Sequence, residues 1–103
     1  TSVRNTAVGT EALGSATTGD NNTAIGFKAL FTNVDGDRNV AVGVGSLQTF
    51  EPSAGDTYNV AVGFDAGNKV TTGIRNTLIG SRTGDAFTDA DYNVALGYNA
   101  LTT

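Results

Sequence analysis

The chain holds 103 residues, 39% of them apolar, with a net charge of −4 and no histidine, cysteine, methionine or tryptophan. That size makes one domain with a modest core, and ten acidic against six basic residues exclude the basic footprint that nucleic acid or an anionic membrane surface needs. Disulfides, thiolate metal sites and a histidine base are excluded too, and no apolar run is long enough to span a bilayer.

In chain order, "TSVR" reads as the tail of a preceding coil. It is followed by "NTAVGTEAL" from Asn5, "NTAIGFKAL" from Asn22, "NVAVG" from Asn39, "NVAVG" from Asn59, "NTLIG" from Asn76 and "NVALGYNAL" from Asn93. The motif asparagines are separated by 17, 17, 20, 17 and 17 residues, taking differences between positions 5, 22, 39, 59, 76 and 93. Self-similarity at this period marks a solenoid whose units stack only on their neighbours. A unit this short holds a strand, a corner, a second short strand and a turn, whereas a helical or βαβ repeat needs roughly twice the length. β-Branched residues in period-2 alternation, with no 3.6 period, favour strand. The reading is an all-β parallel β-solenoid, a β-roll or β-helix of six coils of about 17 residues, forming one domain over residues 1–103. The final "ALTT" interrupts the pattern, so the expectation is a segment of a longer fibrous protein.

Within each motif strand, Val8, Ile25, Val42, Val62, Ile79 and Leu96 share a face with Thr6, Thr23, Val40, Val60, Thr77 and Val94. These are expected inside the coil as an aliphatic ladder. The other face carries Ala7, Ala24, Ala41, Ala61, Leu78 and Ala95. Small apolar residues in every coil suggest that this face is buried as well, against other chains, as an intertwined or side-by-side homotrimer. On that reading Ala41→Glu destroys assembly. The asparagines suit turn entries and side-chain ladders, and the glycines suit bends with positive φ.

The "N-x-A-[VIL]-G-x-x-A" phrase resembles the head repeats of trimeric autotransporter adhesins, and "NTAVG…AL…TTG" resembles repeats of some phage tail-fibre and surface proteins. The resemblance covers essentially the whole chain. It implies a homotrimeric surface fibre, extracellular on a virion tail or a bacterial cell surface, that attaches to a cell-surface glycan or protein receptor. It supplies no catalytic residue and no cofactor.

Candidate chemistry is sparse. The hexad from Val8 is similar to that of left-handed β-helix acyltransferases, but each coil has one good hexad and the catalytic histidine of that family is absent. "DGDRN" with Asp35 and Asp37, and "DADYN" with Asp89 and Asp91, have oxygen-rich spacing for a hard cation such as calcium, but lack the glycine and distal glutamate of an EF-hand loop. Paired carboxylates of a glycan-cleaving tailspike show no coherent spacing among the ten acidic residues, so no enzyme activity is expected. Phe27, Phe64 and Tyr98 follow the motif glycine directly, while Phe50 and Phe87 fall seven residues after theirs; packing suits the latter pair, sugar stacking equally suits Tyr98. One coil is longer: "QTFEPSAGDTY", Gln48 to Tyr58, adds three residues and the only proline. Insertions in solenoids form edge loops, so the candidate receptor contacts are Phe50, Glu51, Pro52 and Tyr58, with Tyr98 beside them. Ice binding is a further alternative, discounted because the threonine face is expected inside.

Overall fold

The computed structural model describes residues 1–53, 55–86 and 88–102, so Phe87 lies outside the described residues. Six three-residue strands stack in one parallel sheet: β1 Thr6–Val8, β2 Thr23–Ile25, β4 Val40–Val42, β6 Val60–Val62, β7 Thr77–Ile79 and β8 Val94–Leu96. Register is uniform, Thr6 opposite Thr23, Thr23 opposite Val40, and so on to Thr77 opposite Val94. The fold is a parallel β-solenoid of about five turns with 17 residues in each ordinary coil. A second strand forms in two coils alone among the described residues, where β3 Gly36–Asp37 pairs with β5 Gly55–Asp56.

The rest of the coil is a chain of tight turns. In the second coil Ala29 N–H donates to Gly26 C=O (3.2 Å), Phe31 to Lys28 (3.3 Å) and Asn33 to Leu30 (3.3 Å), one turn every two residues. The turns need left-handed backbone at alternate positions, and Lys28 and Leu30 have φ of 58° and 51°. The same turns bond upward from coil to coil: Leu13 N–H to Ala29 C=O, Leu30 to Ser46, Leu47 to Ala66. A turn wall therefore faces the sheet wall.

Between the two walls the interior is thin, and this reverses the expected facing of the strands. Ala24, Ala41, Ala61 and Leu78 are fully buried, and Ala95 nearly so. The aliphatic ladder is on the outer side instead: Ile25 is 39% exposed and Ile79 38%, Val42 and Val62 are half-buried, and the end strands are more open still. Alternation fixes which residues share a face, while the size of the opposite wall fixes which face is inside. Leu13, Leu30 and Leu47 enter from the turn wall and fill the interior, leaving the sheet wall room for a methyl group. The alanine face is thus not the seam between chains, and Ala41→Glu would place a carboxylate in the core.

One exception supports that account. Where the leucine column changes to Gly67 and Gly84, the alanine column changes to Leu78. A Cβ built on Gly67 would lie 2.9 Å from Leu78 Cδ1 and 3.1 Å from Leu47 Cδ2. Leu78 fills the volume that Gly67 vacates.

Candidate functional site

The asparagines settle the coil entry. Each side-chain carbonyl accepts the backbone N–H of the next motif asparagine: Asn22 N–H to Asn5 Oδ1 (2.7 Å), Asn39 to Asn22 (2.8 Å), Asn59 to Asn39 (2.9 Å), Asn76 to Asn59 (2.9 Å) and Asn93 to Asn76 (3.0 Å). In ordinary coils the amide Nδ2 donates across the coil, as from Asn22 to Gly36 C=O and from Asn59 to Gly73 C=O. In the long coil that partner is displaced. Asn39 Nδ2 donates to Asn22 Oδ1 instead, and Thr57 Oγ1 donates to Asn39 Oδ1. Among the described residues no buried side-chain polar atom lacks a partner.

The long coil is anchored by some of its residues and displays the others. Phe50 is fully buried, Pro52 is buried and both lie against Gly36, while Glu51 is exposed. Of the five expected contacts, Glu51, Tyr58 and Tyr98 are presented to solvent and Phe50 and Pro52 are packing residues. The three exposed residues are not gathered in one place. Tyr58 stands at the corner before its motif asparagine, and Tyr98 follows its motif glycine at the other end of the strand.

Of the cation candidates, Asp35, Asp37 and Asp91 act as staples between coils, as does Asp20. Asp20 Oδ1 accepts Val3 N–H (2.7 Å), Asp37 Oδ1 accepts Asp20 N–H (2.7 Å) and Asp91 Oδ1 accepts Ile74 N–H (2.8 Å). Asp35 accepts the Thr18 hydroxyl. Among the described residues no three carboxylates converge to hold a metal ion, and no pocket opens.

Two surface features remain. The first is the outer sheet face. Its two strand columns carry β-branched residues at eleven of twelve positions, Leu96 being the exception, and no charge. The column after the glycines continues it with Thr10, Phe27, Val44, Phe64, Ser81 and Tyr98. Phe27, Val44, Phe64 and Tyr98 are all exposed. The uncharged strip spans six rungs at about 4.8 Å each, so it measures on the order of 24 Å by 10–15 Å.

The second is the corner column preceding each asparagine: Arg4, Asn21, Arg38, Tyr58, Arg75 and Tyr92. All six have φ between 55° and 61°, which turns each side chain outward in the same way. The Arg38 guanidinium lies 5.8 Å from the Tyr58 ring centre, Arg75 lies 5.8 Å from Tyr58 on the next coil, and Arg75 lies 5.5 Å from Tyr92 beyond it. Arg75 Nη1 also donates to the Tyr92 hydroxyl (3.4 Å). The sequence carried a signal for this ladder in the Arg/Tyr alternation before the last four motif asparagines; the shared left-handed backbone that brings those residues together is seen only in three dimensions. Compared with family profiles, curated proteins and solved structures, the chain gives no match.

Proposed function

We propose that this chain is a rigid structural segment of a homotrimeric extracellular surface fibre, of the phage tail-fibre or bacterial adhesin kind, that serves attachment to a host or surface. The observation that carries the reading is the uncharged strip of the outer sheet face. At roughly 240–360 Å² the strip is about the size of the largest uncharged patch on an ordinary monomer, and such patches often serve contact. The occupant that matches the strip is a second copy, because a parallel neighbour repeats the same rungs at the same spacing. Face-to-face pairing would bury only a few hundred Å² per chain, below the roughly 800 Å² per partner of a standard interface. Threefold closure shares the same strip between two neighbours and buries no more of it per chain, so the choice of a trimer over a dimer rests on the resemblance of the repeats rather than on buried area. This assembly axis runs along the valine and isoleucine columns, not the alanines.

The test is solution mass by light scattering on this chain and two variants. Wild type is expected at three chains. Val42→Glu, at a half-buried outer position, is expected to give a monomer that keeps its β circular dichroism, while Ala41→Glu is expected not to fold. A wild-type monomer, or an assembled Val42→Glu, would sink the trimer.

The outer strip also favours a second reading, ice binding, since its threonines and valines stand on the outer side in uniform register as an array of stiff side chains. A monomer that shows thermal hysteresis, lost in Val42→Glu, would replace the fibre reading with this one.

A further inference from the structure

We propose that the Arg38–Tyr58–Arg75–Tyr92 ladder binds the carboxylate groups of an acidic polysaccharide. The attached ligand class extends the attachment reading, but the site lies within one chain and does not need the trimer.

Left-handed backbone is a demand of the coil, met also by the exposed Glu11 and Arg82, so what distinguishes the ladder is the choice of arginine and tyrosine at its corner rather than the conformation. Non-glycine residues in left-handed backbone cost on the order of 1 kcal/mol or more each, and bulky ones are unusual there. For Leu13, Leu30 and Leu47, which share that conformation, core burial compensates. Tyr58 is 45% exposed and Tyr92 71%, so burial does not account for the choice of tyrosine. Asn21 shows that the same corner accepts asparagine, the residue best suited to it.

The stack also determines what it offers a ligand. Each guanidinium lies over a neighbouring ring, and one Arg75 donor, Nη1, is engaged by the Tyr92 hydroxyl, so the remaining Arg75 N–H groups are the ones a ligand would meet. A guanidinium edge is a fork of N–H donors matched to a carboxylate, and an aromatic edge is the electropositive part of the ring. Arg38 already pairs with Asp56. Arg75 has no carboxylate at ion-pair distance among the described residues and is held between two rings, so little freedom is lost when it binds. Its rung is flanked above and below by tyrosine hydroxyls.

One unpaired charge, at Arg75, therefore stands between two neutral hydroxyl groups on the adjacent coils. A uronic acid sugar presents the same pairing, one carboxylate and several hydroxyls on each ring. An acidic peptide offers carboxylates without the hydroxyls, and a nucleic acid requires charge at every rung. Asp37, Asp56 and Asp91 lie close by on the same side of the coil and hold down binding of polyanions in general, so contacts at Arg75 must be directional to succeed.

The experiment is calorimetric titration of this chain with oligogalacturonate at low salt, with solution mass recorded on the same sample. Saturable binding is expected. Arg75→Gln should weaken it by about tenfold or more, as loss of a charge-assisted hydrogen-bond pair does. Tyr92→Phe keeps the ring and its stack and removes only the hydroxyl; it should weaken binding by a few-fold, about 3–5. Arg82→Gln, an exposed arginine past Gly80 at the far end of the strand, should leave binding unchanged. Polyglutamate of similar charge should not compete. The proposal is overturned by absence of binding, by equal loss in Arg82→Gln, by full competition from polyglutamate, or by an unaltered Tyr92→Phe. Should Arg75→Gln lose its fold by circular dichroism, Tyr92→Phe and Arg82→Gln decide the matter. A monomeric mass with Arg75-dependent binding would sink the trimer and sustain this site, and a trimer without binding would do the reverse.

Discussion

At the scale of the residue, the motif asparagine does two jobs that no other side chain of its size combines. Its carbonyl accepts the next coil's N–H and its amide donates across its own coil, both away from water. An aspartate would lack the donor and a leucine would lack both groups. Asn59→Ala leaves Asn76 N–H and Gly73 C=O unpaired in the interior, at a cost of about 2–4 kcal/mol. Chemical denaturation of the variant should show that loss as a lower midpoint, and a change under about 0.5 kcal/mol would mean water replaces the amide. The glycines after each strand answer a different need. Gly63 has φ of 136°, and a Cβ there would lie 2.6 Å from the Gly80 carbonyl carbon, so coils approach backbone to backbone at this column.

At the scale of the element, the sheet wall and the turn wall divide one volume between them. Leu78 and Gly67 make this testable, because each is the exception in its own column. Leu78→Ala should cost about 2–4 kcal/mol through the cavity it leaves. Gly67→Leu alone should cost about 1–3 kcal/mol by overpacking against Leu78 and Leu47. Together they recreate the arrangement of the second and third coils, so the pair should cost less than their sum by more than about 1 kcal/mol. Additive losses would mean that the walls do not share that space.

This same division explains what could be read in advance. The period gave the stack, the strand positions and the register, because those follow from which residues recur. Which face of the strand is inside did not follow, because small alanines look like a seam when the opposite leucines are not in view. The tight-turn wall was hidden for a related reason: Glu11, Lys28 and Leu47 carry no mark of the left-handed backbone they adopt. Phe50 and Pro52 were legible as an insertion, but not as one folded back onto Gly36.

At the scale of the whole molecule, the parts are joined only to their neighbours, and the dimensions of 37 × 24 × 15 Å leave no distant core. Stability then accumulates rung by rung. Native-state hydrogen exchange should be slowest in Val40–Val42 and Val60–Val62, at the middle of the stack, and grow faster through β2 and β7 to β1 and β8. One protection level shared by all six strands would show instead that the coils open only together.

Uniform register has a cost for copies lying side by side: sliding one past another by a rung returns nearly the same contacts, so the pairing is degenerate, like two combs with equal teeth. The coil of 20 residues, with the strand β5 that it pairs to the coil before it and the Thr57 hydroxyl on Asn39, breaks that translational symmetry at a single level. It acts as a notch, which distinguishes one alignment from all the others and gives an otherwise repeating rod a fixed zero.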